Sequence, residues 1–147
     1  GDRVDDILFA SSYDLGIAVS RYDLFPTIVK ELLVSIALLF DDYYASAPES
    51  HSCFQFWDHV LGYRDTFTSS GRPSDIFLDG ALEILRKLVK SPMRHVRASA
   101  IHGLNHFPDA DVVRQDLREA ALTDPDVELR KYAGDARDAS TQGRRLV

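Results

Sequence analysis

The sequence is short of the residues that staple, anchor or catalyse. A single cysteine, Cys53, excludes an internal disulfide and favours a reducing compartment, so a cytoplasmic location is expected. No uncharged apolar run approaches the ~18 residues that a membrane helix needs; the longest, Leu32 to Phe40, falls far below it. The first residues include Asp2, Arg3, Asp5 and Asp6, which is not the basic patch and apolar run of a secretory signal. The chain opens at Gly1 without methionine, for which either an artificial leading residue or a trimmed end is the expectation. There is no Gly-rich phosphate loop, no Gly-x-Ser-x-Gly elbow and no His-Glu-x-x-His helix. No catalytic residue, cofactor or metal is therefore assigned, and the expectation is a protein that binds without catalysing.

What is present suits one folded domain over residues 1–147. The apolar content of 45% and charged content of 27% are those of a globular chain and exclude wholesale disorder. At 147 residues the chain can bury a real core without metal or disulfide. Charge is unevenly spread. Residues 1–85 carry 5 Lys/Arg against 14 Asp/Glu, a net of −9, while residues 86–147 carry 12 against 9, a net of +3. The acidic total disfavours nucleic acid as a partner, but the basic end keeps that alternative open.

Helical spacing dominates. Phe25, Ile28, Val29, Leu32, Leu33, Ile36 and Phe40 recur at steps of three and four, with Pro26 at the start where its missing N–H costs nothing. Val34, Ala37, Leu38 and Leu39 cover the rest of the circumference, which predicts a central helix buried on most sides. An earlier helix is expected over roughly 4–19, weakened by Gly16 and Ser11-Ser12. After a break at 46–48 comes a short aromatic helix, with Phe54, Trp57 and Leu61 on one side and Cys53, Phe56 and Val60 beside them. Residues 66–74 read as a loop, and Ser74 as the N-cap of a helix whose face holds Phe77, Ala81, Ile84, Leu85 and Leu88.

The last third repeats itself. Ser91-Pro92 and Asp124-Pro125 each read as a capping side chain followed by proline at the first helical position. In that register Val96-Arg97 lies over Leu129-Arg130, Ala100 over Ala133, and Gly103 over Ala136, an offset of 33 residues. Between them Asp109 is expected to cap a helix with Val113, Leu117, Ala120 and Ala121 on its apolar face. Neither helix pair can hide its apolar stripe alone, so neighbours must stack, and the small residues permit close approach.

With these residues in view, the chain resembles the HEAT-repeat family, in particular the short subtype named for phycobilisome lyases. The resemblance rests on Ser91-Pro92 through Val96-Arg97, Ala100 and Leu104, and on Asp124-Pro125 through Leu129-Arg130 and Ala133. It covers about residues 74–140. It implies an all-α, armadillo-like solenoid of antiparallel helix pairs over 74–147, with 1–73 a divergent helical cap or divergent repeats. The second copy departs from the pattern at Arg137, which stands where Leu104 stands in the first, as befits a terminal repeat facing water. The resemblance further implies that Arg97 and Arg130, with the aspartate Asp124 near a helix start, form a hydrogen-bonded ladder between repeats.

Four constellations compete as sites. Residues 43–67 hold 7 of the 15 aromatics, including Tyr43, Tyr44, Phe54 and Trp57. They could line a partner-binding groove, because rigid amphipathic rings dominate hot spots, or simply join the halves of the core, which is the commoner fate of aromatics. His51, Cys53, Asp58 and His59, near Asp41 and Asp42, offer zinc-type donors, but the spacing fits no known ligand pattern. Arg86, Lys87, Lys90, Arg94, His95, Arg97, His102 and His106 form a basic junction over 86–106 that could meet nucleic acid, diluted by Glu83, Asp109, Asp111 and Asp116. On the helix between the repeats, Arg114, Arg118 and Glu119 are polar positions open to a partner. The expectation is a scaffold that binds another protein through Tyr43, Tyr44, Phe54, Trp57, Arg114 and Arg118. The rival implied by the resemblance is a tetrapyrrole-binding accessory using Trp57, Tyr43 and Asp58.

Overall fold

A computed structural model describes residues 3–22, 24–62, 75–107 and 110–141. Among the described residues the fold is all-helical, without a strand. The helices are α1 (Arg3–Arg21), α2 (Pro26–Leu38), α3 (His51–Leu61), α4 (Asp75–Leu88), α5 (Arg94–Leu104), α6 (Asp111–Thr123) and α7 (Val127–Thr141). A π-helical segment, Leu39–Tyr44, prolongs α2. The odd-numbered helices form one packed series, α1 on α3, α3 on α5, α5 on α7, while α2 packs on α4, α4 on α5 and α6 on α7.

The 33-residue register survives in three dimensions. Val96, Ala100 and Gly103 on α5 are buried, as are Leu129, Ala133 and Ala136 on α7. On the expected faces of α4 and α6, Phe77, Ala81, Leu85 and Leu88 are buried on the first and Val113, Leu117 and Ala120 on the second, while Ile84 and Ala121 are half-buried at their edges. The capping geometry needs a correction. The residues preceding α5 and α7 are Met93 and Asp126, so Ser91 and Asp124 lie two positions earlier and Pro92 and Pro125 stand in the turn, not inside the helix. Ser91 Oγ accepts from Met93 N–H (3.2 Å), and Asp124 Oδ1 from Asp126 N–H (2.8 Å), the same side-chain turn 33 residues apart. Asp126 then caps α7, accepting from Glu128 N–H and Leu129 N–H. Ala110, not Asp109, precedes α6 and gives no side-chain cap; Asp109, Ser74 and the 66–74 loop lie outside the described residues. Arg137 is half-buried and pairs with Asp138.

The central helix is α3, not α2. Val29, Ile36 and Phe40 are buried as expected, yet Ile28, Val34 and Leu38 are about half exposed, and Phe25 is 73% exposed. An apolar helix becomes central only if neighbours cover it, and α2 has α4 as its main cover. Helix α3 is flanked on two sides, by α1 and α5, and buries Cys53, Phe56, Trp57, Val60 and Leu61. Ser50 starts it by accepting from Cys53 N–H (3.3 Å).

Candidate functional site

The aromatic segment is core. Trp57, Tyr44 and Phe40 have no accessible surface. The π-helical turn, marked by Ala45 N–H donating to Phe40 C=O, carries Phe40 and Tyr44 to one side with ring centroids 4.9 Å apart. Phe40 stacks on Trp57 (5.4 Å, 19°) and meets Phe56 edge-on. Gly103 admits the indole: a Cβ there would sit 2.8 Å from Trp57 Cγ, too close for any real side chain. This corrects the expectation for Tyr44 and Trp57 as partner-binding residues, since rings enclosed on every side cannot touch another molecule. It also removes Trp57 as the wall of a tetrapyrrole pocket. Tyr43 and Phe54 are half-buried, Phe54 lying on the His102 ring at 4.5 Å. On α6, Arg114 is half-buried and ion-paired with Asp111, while Arg118 is exposed. The six residues do not assemble into one surface.

Of the expected ladder, Arg97 joins α5 to the turn before α7, while Arg130 bonds within its own segment. Arg97 donates from Nε (2.8 Å) and Nη2 (3.2 Å) to the two carboxylate oxygens of Asp124, and from Nη1 to the carbonyls of Ser91 and Pro92. Arg130 donates from Nη1 to the Asp124 carbonyl (2.7 Å), six residues back, just as Arg97 does to Ser91. The planar Arg97 guanidinium reaches a carboxylate and two carbonyls at once in a way a lysine could not. Arg97 and Asp124 are buried and Arg130 half-buried, as suits a structural pair.

The basic junction is neutralised from within. Arg86 pairs with Asp116, Lys87 with Asp41, Lys90 with Glu119, and Arg94 with Glu49, Asp126 and Glu128. Hydrogen bonds to these carboxylates hold the Arg86 and Arg94 guanidinium pKa above its ordinary value. A phosphate would have to displace an acid at each position, so the arrangement does not offer the continuous basic stripe that nucleic acid requires.

Two features remain with chemical content. The first joins three helices. Asp58 of α3 receives two histidines on one oxygen: His102 Nε2 at 2.6 Å and His106 Nε2 at 3.1 Å from Oδ1. The opposite nitrogen of His102, Nδ1, shares a hydrogen bond of 2.7 Å with the Tyr132 hydroxyl of α7. Burial pushes the Asp58 carboxyl up, but the hydrogen bonds and charges of His102 and His106 outweigh it and hold it well below the usual carboxylate range. Burial, with the Asp58 charge added, pushes the Tyr132 phenol up to about 12. The zinc-type donors that lie close in sequence do not meet. Cys53 is buried, His51 is exposed, and His59 turns to α1, where it shares a hydrogen bond with Ser12 (2.9 Å) and lies against Phe9 (4.5 Å). Burial lowers the His59 pKa, with Asp58 opposing. Sequence reasoning held Asp58 in one group and His102 and His106 in another; the four-residue spacing of the histidines was the available signal.

The second feature is a groove of about 150 Å³ between α1 and α2. Its walls are apolar: Leu8 and Leu15 on one side, Leu32, Ile36 and Leu39 on the other, Phe56 at the base. Small residues, Ser11, Ser12 and Ser35, keep it open. Two of the hydroxyls turn back on their own helices, Ser12 to the Phe9 carbonyl and Ser35 to the Glu31 carbonyl, so they add little polarity. Sequence reasoning missed this groove, although Leu8, Ser11, Leu15 and Leu32, Ser35, Leu39 carry the same three-and-four spacing.

No protein-family model, no curated protein and no solved structure matches the chain. Its own side chains therefore carry the functional reading. Among the described residues, no helix is long and apolar enough to cross a membrane.

Proposed function

We propose that this chain is a non-catalytic protein-interaction module of HEAT-like stacked helix pairs, whose groove between α1 and α2 takes an amphipathic helix of a partner protein. The stacked reading is supported by the 33-residue register, by the matching bonds of Arg97 and Arg130, and by the odd-helix series from α1 to α7. The groove carries the binding reading. It is apolar, and exposed Val4, Ile7 and Ile28 stand one helical turn before Leu8, Ser11 and Leu32 of its walls, which adds uncovered apolar surface of the kind that marks contact sites. Parallel apolar stripes on two helices fit a third helix laid between them, read through i, i+3, i+4 and i+7 anchors. The partner's flanks should be basic, because residues 3–44 carry 7 Asp/Glu against 3 Lys/Arg, and complementary charge steers association.

A fluorescent model peptide tests this, with leucines at helical spacing and lysines on the opposite face, beside a scrambled peptide of equal composition. The helical peptide should bind, the scrambled one should not, and Leu32→Glu, half-buried in the wall, should weaken binding at least tenfold with helical content unchanged. Equal binding of both peptides would sink the reading. So would a concentration-dependent dimer abolished by Leu32→Glu, because the groove would then serve a second copy of this chain.

A further inference from the structure

We propose that Asp58, His102 and His106 form a binding site for a divalent transition-metal ion of the zinc type. Two imidazole nitrogens and one carboxylate oxygen suit such ions and not magnesium or calcium, which demand oxygen alone. His102 lies in the last turn of α5 and His106 in the turn that follows it, where His106 N–H donates to the Gly103 carbonyl, and α3 delivers Asp58 against both. One donor atom from each lies within 4.8 Å of the other two. A tetrahedral ion with bonds of about 2.0–2.2 Å holds its ligand atoms about 3.3–3.5 Å apart. The present separations of 2.6 and 3.1 Å need only open by several tenths of an ångström. Asp58, with 42% of its side chain exposed, can make that movement, while both histidines are held at 9%.

Two observations separate this cluster from a plain ion pair. A plain ion pair needs one imidazole, yet a second converges on the same oxygen, and the two ring centroids lie 5.6 Å apart. A metal ion converts that convergence into attraction. Tyr132 moreover occupies the place of an outer-shell partner. With His102 Nε2 on the ion, Nδ1–H donates to the Tyr132 hydroxyl, fixing the tautomer and ring plane as metal-binding histidines require. Three protein ligands leave a further position for water on the exposed side of Asp58.

Calorimetric titration of the whole, chelator-treated chain with zinc chloride tests the site. One ion should bind per chain, with magnesium and calcium unable to compete. His106→Gln and Asp58→Asn should lose more affinity than Tyr132→Phe, for which the loss of an outer-shell partner predicts about 10–100-fold. His51→Gln, an exposed histidine elsewhere, should change nothing. Zinc should raise the melting temperature of the parent protein and not of His106→Gln. If His106→Gln fails to fold, Tyr132→Phe carries the test. Absence of zinc binding overturns the proposal, as does retained affinity in both His106→Gln and Tyr132→Phe, or a loss in His51→Gln equal to theirs.

Discussion

The two ends of this molecule use apolar residues in opposite ways. Around α5 and α7 they are rationed and, Val127 apart, largely hidden: alanines and a glycine face the neighbours, and a buried guanidinium–carboxylate pair ties α5 to the turn before α7. Around α1 and α2 they are abundant and left in view. Nine of the twelve exposed large apolar side chains among the described residues lie between Val4 and Leu38. The difference teaches that apolar content does not locate the core. Coverage does, and α3, with fewer aliphatic residues than α2, is the helix that others enclose.

Substitutions can break or sharpen this contrast. The largest effect belongs to Arg97→Ala, which strands Asp124 as a buried carboxylate without its cation; urea unfolding should show a loss of about 3–5 kcal/mol. A loss under about 1 kcal/mol would mean the repeats are held by packing alone. Gly103→Ala comes next. The added methyl meets Trp57 and Leu85, and overpacking of about 1–3 kcal/mol exceeds the helical gain over glycine of about 0.5–1 kcal/mol. A stabilised Gly103→Ala would show that the indole is less tightly held than its contacts imply.

Smaller effects follow at the surface. The Arg94 hydrogen bond, helped by the backbone N–H groups of Leu129 and Glu128, holds the Asp126 pKa below its ordinary value of 3.8. A carboxylate whose pKa is lower folded than unfolded adds stability above the unfolded value and loses it as pH falls through the folded one. Asp126→Asn should therefore flatten the acid limb of a stability–pH curve below about pH 4, and high salt should shrink the difference. Unchanged acid limbs would remove this pair from the stability of the repeat. The least effect on folding is expected from Ile28→Ser, within about 0.5 kcal/mol, because that side chain is already about half in water. If it destabilises by more, α2 is better covered than its exposure indicates, and the contrast between the two ends weakens.

Much of the fold was legible from spacing. The buried faces of α4, α5, α6 and α7 follow from spacing because each stripe is local and periodic, and Arg97 and Arg130 stand in the same 33-residue register. The start of α5 was misplaced because serine followed by proline fits both a cap and a preceding turn, and only backbone geometry distinguishes them. Tyr44 and Trp57 were ambiguous for a similar reason: an aromatic ring suits a core and a binding face equally well. Phe40, at the end of α2, made the choice by stacking on Trp57 through a π-helical turn that carries no sequence signature.

The sequence by itself determined the helices, their apolar stripes and the 33-residue echo in the last third, since these depend on residues a turn or a repeat apart. Tertiary structure alone decided which helix lies at the centre, which apolar face stays uncovered, and that Asp58 meets His102 and His106 across 44 and 48 positions of chain. The reason is physical. Periodicity tells a helix which side must be hidden, but a contact between distant residues exists only once the helices between them have packed.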